Sequence, residues 1–162
     1  MRFISDAMLG KLTRWLRMLG QDVSCINDLD VSADKEDDII LDVSKEESRV
    51  ILTKDEGLHN RALKKNLDSV LLKSGRSVAD HLKRITDSKG VVFNKDMDDS
   101  RCSVCNGELE EVDKSIVENS VPDGVLEDNR RFWKCRNCDK IYWLGSHWEN
   151  IEDTLSEYES MR

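Results

Sequence analysis

Four of the five cysteines in this 162-residue chain fall in two Cys-x-x-Cys pairs, Cys102/Cys105 and Cys135/Cys138. Each pair lets two thiolates reach one cation from a tight turn, and two pairs together specify a tetrahedral four-sulfur site suited to Zn²⁺. Four thiolates close the coordination shell, so this zinc is expected to be structural; a catalytic zinc keeps an open position. His147 is the alternative ligand. The roughly 40 residues around the cysteines are too few to bury a self-sufficient core and need the metal as a staple. The 29 residues between Cys105 and Cys135 exceed a short ribbon and predict an inserted hairpin or loop containing Pro122-Asp-Gly124.

The rest of the chain alternates strand and helix patterns. Apolar residues open it at Met1–Ser5, and Met8, Leu9, Leu12, Trp15, Leu16 and Leu19 then keep helical spacing up to a C-capping Gly20. Strand patterns follow at 23–26, 49–53 and 69–72, with helices over 36–47, 55–65 and 78–85. Strands separated by helices of this length predict α/β architecture, a mainly parallel sheet covered on both faces. The expected organisation is an α/β domain over residues 1–88, a polar linker over 89–100 with one strand at Val91–Phe93, the β-rich zinc module over 101–148, and an acidic tail over 149–162 in which Asn150 caps a helix.

Net charge is −8, unevenly spread: +3 over residues 1–20, −8 over 21–48, +6 over 49–95 and −9 over 96–162. Phosphate binding needs local positive potential. Basic stretches flanking an acidic one suit a cationic rim around an anionic centre, the layout of a metal-dependent nuclease; an ordinary solvated surface has the same composition. No signal-peptide pattern and no apolar run of membrane-spanning length is present, and the thiol usage fits a reducing, cytoplasmic compartment.

Ligands of open α/β sheets bind outside the carboxyl ends of the strands. Asp6 follows the first strand, Asp55 follows the strand Arg49–Thr53, and Asp37 and Asp38 open the second helix. Carboxylates converging there repel one another unless they hold hard cations such as Mg²⁺ or Mn²⁺, and a pair of such ions can activate water and stabilise the leaving oxygen in phosphodiester hydrolysis. Helix capping is the competing account of each aspartate.

The opening FISDAMLGKLTRWLRMLGQDV, the segment DDIILDVSKEESRVILTKDEGLHNRA and the stretches RCSVCNGELEEV and FWKCRNCDKIYWLGSHW together resemble the Mut-seven C-terminal RNase family over residues 1 to about 148. The resemblance implies a PIN-like three-layer domain followed by a zinc ribbon, with Asp6, Asp37 and Asp55 as metal-binding catalytic acids and Asp38 or Glu56 as a further acid. It implies a metal-dependent ribonuclease acting on single-stranded RNA. A non-catalytic adaptor that binds RNA, a ribonucleoprotein or a protein partner is the alternative function of the same fold.

Lys11, Arg14 and Arg17 recur every three residues after Asp6 and, with Arg61, are candidates to hold RNA phosphates; a solvated helix face is the competing reading. Trp15 is expected in the core. His59 and His81 are expected to be solvated or locally hydrogen-bonded, and Cys25 to fill a buried strand position. Phe132, Trp133, Tyr142, Trp143 and Trp148 crowd the second cysteine pair, most of them as core, with one or two left to stack on unpaired bases.

Overall fold

The computed structural model describes residues 1–162 apart from Gly75, Asn94 and the side chain of His147, so the alternative ligand lies outside the described residues. The first half alternates as expected: β1 (Arg2–Ser5), a 3₁₀ turn (Ala7–Leu9), α1 (Gly10–Met18), β2 (Asp22–Cys25), α2 (Glu36–Glu47), β3 (Val50–Thr53), α3 (Glu56–Lys64), β4 (Ser69–Leu71) and α4 (Val78–Lys89). The strands form one parallel sheet in the order β2-β1-β3-β4. Every residue of β3 is buried, as helices on both faces require. Successive side chains point to opposite faces. Phe3 and Leu52 therefore pack with Leu12 and Leu16 of α1 and Leu82 of α4, while Ile4 and Ile51 pack with Ile40 of α2 and Leu58 of α3.

Strand order reverses about β1. The chain steps from β1 to β2 through α1 on one face, then crosses back to β3 through α2 on the other. Segments leaving β1 and β3 therefore diverge and open a crevice at their carboxyl ends, where α/β sheets bind ligands. Gly20 turns the chain from α1 towards β2 at φ +79°, and a Cβ there would lie 3.1 Å from the Asp99 carbonyl oxygen. Both the left-handed backbone and the close approach call for glycine.

The second half holds β5 (Leu109–Val112), α5 (Lys114–Val117), α6 (Asp123–Asp128), β6 (Phe132–Cys135), β7 (Ile141–Tyr142) and α7 (Ser146–Ser160). Its three strands form an antiparallel sheet in the order β5-β6-β7. The inserted segment is not a hairpin but two short helices. Pro122 directly precedes α6 and Asp123 lies in its first turn, both favourable where backbone N–H groups are unpaired.

Two expectations about the connections fail. Residues 91–93 form no strand, and the expected linker is no free spacer: Phe93, Met97 and Ser100 are buried, and Ser100 Oγ donates to the Met18 carbonyl at 2.6 Å. The chain end is helical as expected, but Asn150 does not cap it. α7 starts at Ser146, and Asn150 sits inside it, donating from Nδ2 to the Ser146 carbonyl at 3.2 Å. Ile151, Leu155 and Tyr158 return to the first apolar cluster, and Phe93 meets the Tyr158 ring edge-on at 5.8 Å. Helical periodicity was legible in the sequence; the partner of its apolar stripe was not.

Candidate functional site

Asp6 and Asp55 stand at the ends of adjacent strands, one on each side of the crevice. Asp6 is 7 % exposed. Its Oδ1 accepts from the Met8 N–H at 2.9 Å, and its Oδ2 accepts from Thr53 Oγ1 at 2.5 Å and from the Lys54 N–H at 2.9 Å. A carboxylate offers about four acceptor directions, so about one remains for a cation or water. The Thr53 hydroxyl also accepts from the Asp55 N–H at 2.9 Å. One buried hydroxyl thus fixes Asp6 and the backbone of Asp55 relative to each other. Asp55 caps α3 through Oδ1, which accepts from the Leu58 N–H at 2.9 Å; Oδ2 has no protein partner among the described residues. Capping therefore uses one Asp55 oxygen and leaves the other open to the crevice. Thr53 escaped the sequence reading, although a hydroxyl residue two positions before a strand-end aspartate was the available signal.

Asp37 and Asp38 behave differently. Both open α2 on the face that α3 shares, and Arg61 of α3 bridges them, meeting Asp37 Oδ2 at 3.0 Å and pairing with Asp38. Glu56 opens α3 and is exposed. Among the described residues, only the four cysteines bring three or more metal-ligating atoms within 4.8 Å of one another. The structure therefore joins Asp6 to Asp55 and leaves Asp37 with Arg61, so Arg61 neutralises acids here rather than standing ready for phosphate.

Lys11 and Arg14 are exposed on α1, but Arg17 is 2 % exposed. Steps of three residues at about 100° each rotate the position by about 120° from Lys11 to Arg17, carrying Arg17 into the buried arc. Its guanidinium donates to the Val23 carbonyl from Nε at 2.9 Å, to the Val104 carbonyl from NH1 at 2.9 Å and to Asp28 at 2.5 Å. Arg17 is thus a structural tie between α1, β2 and the first cysteine turn, and leaves the set of phosphate-binding candidates.

A second tie lies beside it. Asn106 accepts from the Val23 N–H through Oδ1 at 3.1 Å and donates from Nδ2 to Asp22 Oδ1 at 2.7 Å. Arg49, also buried, donates to the same Asp22 oxygen at 2.8 Å. Burial pushes the Asp22 carboxyl up, but the Arg49 guanidinium and the Asn106 amide outweigh it and hold Asp22 below its ordinary pKa.

Two matched turns build the cysteine centre. Cys102 N–H donates to the Gly107 carbonyl at 2.8 Å and Cys135 N–H to the Lys140 carbonyl at 2.9 Å. Asn106 and Asp139, each following the second cysteine of a pair, adopt left-handed φ of +64° and +61°, which Asn and Asp tolerate better than most residues. A Cβ on Gly107 would lie 2.9 Å from Cys135 Sγ. The sulfurs of Cys102 and Cys138 are 3.5 Å apart, and those of Cys105 and Cys135 are 3.4 Å apart. Tetrahedral Zn–S bonds of about 2.3 Å separate their sulfurs by about 3.8 Å, so the cluster can hold a metal such as zinc. Burial raises the Cys102 thiol, yet the Tyr142 hydroxyl and the N–H groups of Cys105 and Val104 outweigh it and bring it down to about 6. Burial takes Cys105 up to about 12 and also raises Cys138.

The remaining candidates fall where their chemistry suggests. Phe132 and Trp133 are core; Tyr142, Trp143 and Trp148 are half-buried, as is Trp15 at the margin of the first cluster. His59 Nδ1 bonds Ser69 Oγ at 2.9 Å, His81 Nε2 meets the Lys73 carbonyl at 3.0 Å, and Cys25 is buried. No described helix is long and apolar enough to cross a membrane.

The family model described as the Mut7-C RNAse domain matches residues 1–155, spanning both sheets and most of α7. No curated protein and no solved structure matches the chain.

Proposed function

Because the chain belongs to the Mut7-C RNAse domain family, we propose that it is a ribonuclease dependent on Mg²⁺ or Mn²⁺, with a structural zinc in the cysteine centre. The observation carrying this reading is the coupling of Asp6 to Asp55 through Thr53 in the crevice between β1 and β3. The acceptor direction left over on the Asp6 carboxylate and the free Oδ2 of Asp55 are hard donors of the kind these ions select. Asp37 is the third ligand in this reading, and Asp38 or Glu56 the further acid. A bound divalent ion supplies Lewis acidity towards the phosphate and a nucleophilic water at neutral pH. The chain's own contribution is orientation: the Thr53 hydroxyl and the Lys54 N–H hold the Asp6 carboxylate in place, and Lys11 and Arg14 meet the RNA backbone beside it. Single-stranded RNA is the proposed substrate and the cytoplasm the proposed location.

A second reading rests on Arg61. Its pairing with Asp37 and Asp38 would leave a site short of a ligand and suit a non-catalytic adaptor that binds RNA, a ribonucleoprotein or a protein partner. The deciding experiment measures Mn²⁺-dependent cleavage of unstructured RNA by the wild type, Asp6→Asn and Asp55→Asn, with folding checked by amide exchange. A loss of at least about 100-fold in both variants is expected. Undiminished cleavage in either folded variant removes that aspartate from the site, and a wild type that binds without cleaving is an adaptor.

A further inference from the structure

A cleft of about 850 Å³ runs between α1, the end of the antiparallel sheet and α7. Its apolar lining includes Trp15 and Met18 of α1, Tyr142 and Trp143 at the end of β7, and Trp148 and Ile151 of α7. Trp15, Trp143 and Trp148 are only half-buried, so indole surface remains accessible. Three cations share the cleft, Lys11 and Arg14 from α1 and Lys140 from the cysteine turn, against a single lining acid among the described residues, Asp153. No salt bridge engages these cations among the described residues. In a chain of net charge −8, unpaired positive charge facing half-buried indoles is a local reversal.

Position relates this cleft to the aspartates. Lys11 lies in the first turn of α1, five residues after Asp6, and Arg14 one turn further along. The Lys11 end of the cleft is therefore the end of α1 nearest Asp6. We propose that it carries an unpaired RNA strand away from the Asp6–Asp55 crevice, with phosphates on Lys11, Arg14 and Lys140 and one or two bases stacked on Trp143 and Trp148. The inference rests on the ribonuclease reading for the identity of the strand and adds a ribbon that grips substrate. Charge complementarity selects a polyanion, and the indoles select one with exposed π-faces, which a paired duplex withholds.

The test uses the full zinc-loaded chain and a labelled oligouridylate of about ten residues, within the site sizes of single-strand binders, without added divalent cation. Lys140→Glu and the double change Lys11→Glu/Arg14→Glu are each expected to weaken binding about tenfold or more and flatten its salt dependence. Trp143→Leu is expected to weaken binding about tenfold with the salt slope unchanged, and Trp143→Phe to restore most of it. A duplex of equal length is expected to bind at least about tenfold more weakly. Wild-type affinity in Lys140→Glu overturns the proposal, as does competition by polyglutamate equal to that by RNA. Mn²⁺-dependent cleavage by the same proteins keeps the two readings apart. Binding in the expected pattern without wild-type cleavage retains the cleft and removes the ribonuclease; cleavage with Lys140→Glu binding as wild type does the reverse.

Discussion

In the parallel sheet, β3 is buried along its whole length and β1 along all but its first residue. In the antiparallel sheet, β5 has no buried residue, β7 has none, and only β6 reaches an interior. The first sheet is held by apolar side chains from two helical layers. Order in the second is held by four sulfurs and two left-handed turns. Side-chain burial tolerates small changes of register energy, whereas a metal centre fails as a unit. Yet the two regions are stitched together: Arg17 and Asn106 bind β2 to the first cysteine turn, and α7 returns to the first apolar cluster.

The sharpest way to break this contrast is to remove the metal. Structural zinc in small modules contributes an apparent 10–16 kcal/mol or about that. Chelation is expected to release the amides of β5, β6 and β7 to exchange while those of β1 and β3 stay protected. Equal loss of protection in both sheets would show one cooperative unit. Next in size is the tie itself. Arg17→Met leaves the Val23 and Val104 carbonyls without their charged donor, an expected loss of about 3 kcal/mol by chemical denaturation. A loss under about 0.5 kcal/mol would restore Arg17 to the solvated face.

Acidification probes the neighbouring tie more gently. Because the folded pKa of Asp22 is lowered, its contribution is complete above the ordinary carboxylate value of about 4 and fades as pH falls through the folded value. Asp22→Asn is therefore expected to flatten the acid limb of the stability curve, read from denaturation midpoints between pH 6 and the acid transition. The smallest effect belongs to Arg61→Ala. Its ion pairs are solvent-exposed, so thermal stability should move by no more than about 0.5 kcal/mol. Mn²⁺ binding should tighten as Asp37 is released; weaker binding would make Arg61 part of the ligand scaffold.

What the sequence disclosed follows the range of the interactions concerned. Strand–helix alternation and the two cysteine turns are local patterns, and both are found, down to the turn-tolerant Asn106 and Asp139. Strand-end placement of Asp6 and Asp55 follows from that alternation. The destinations of long side chains are not local. Arg17 looked like its neighbours Lys11 and Arg14 because a step of three residues approximates a helical turn, but the accumulated rotation moves it indoors. Asp37 looked free because Arg61 lies 24 positions away on another helix. Residues 89–100 read as a polar linker and the chain end as an acidic helix with an apolar side, because neither pattern names the surface waiting for Phe93, Leu155 and Tyr158.

The bonds at Val23 have one further consequence. β2 is an outer strand of the parallel sheet, so Val23 directs its N–H and C=O away from β1, and these are the groups taken by Asn106 and Arg17. The first cysteine turn is thus a cover over an open sheet edge, and unpaired edges recruit strands from other molecules. Loss of zinc would loosen that cover without unfolding the strand beneath it. A metal held there would guard the protein against its own copies: a zinc-starved chain is expected to self-associate while its parallel sheet is still intact.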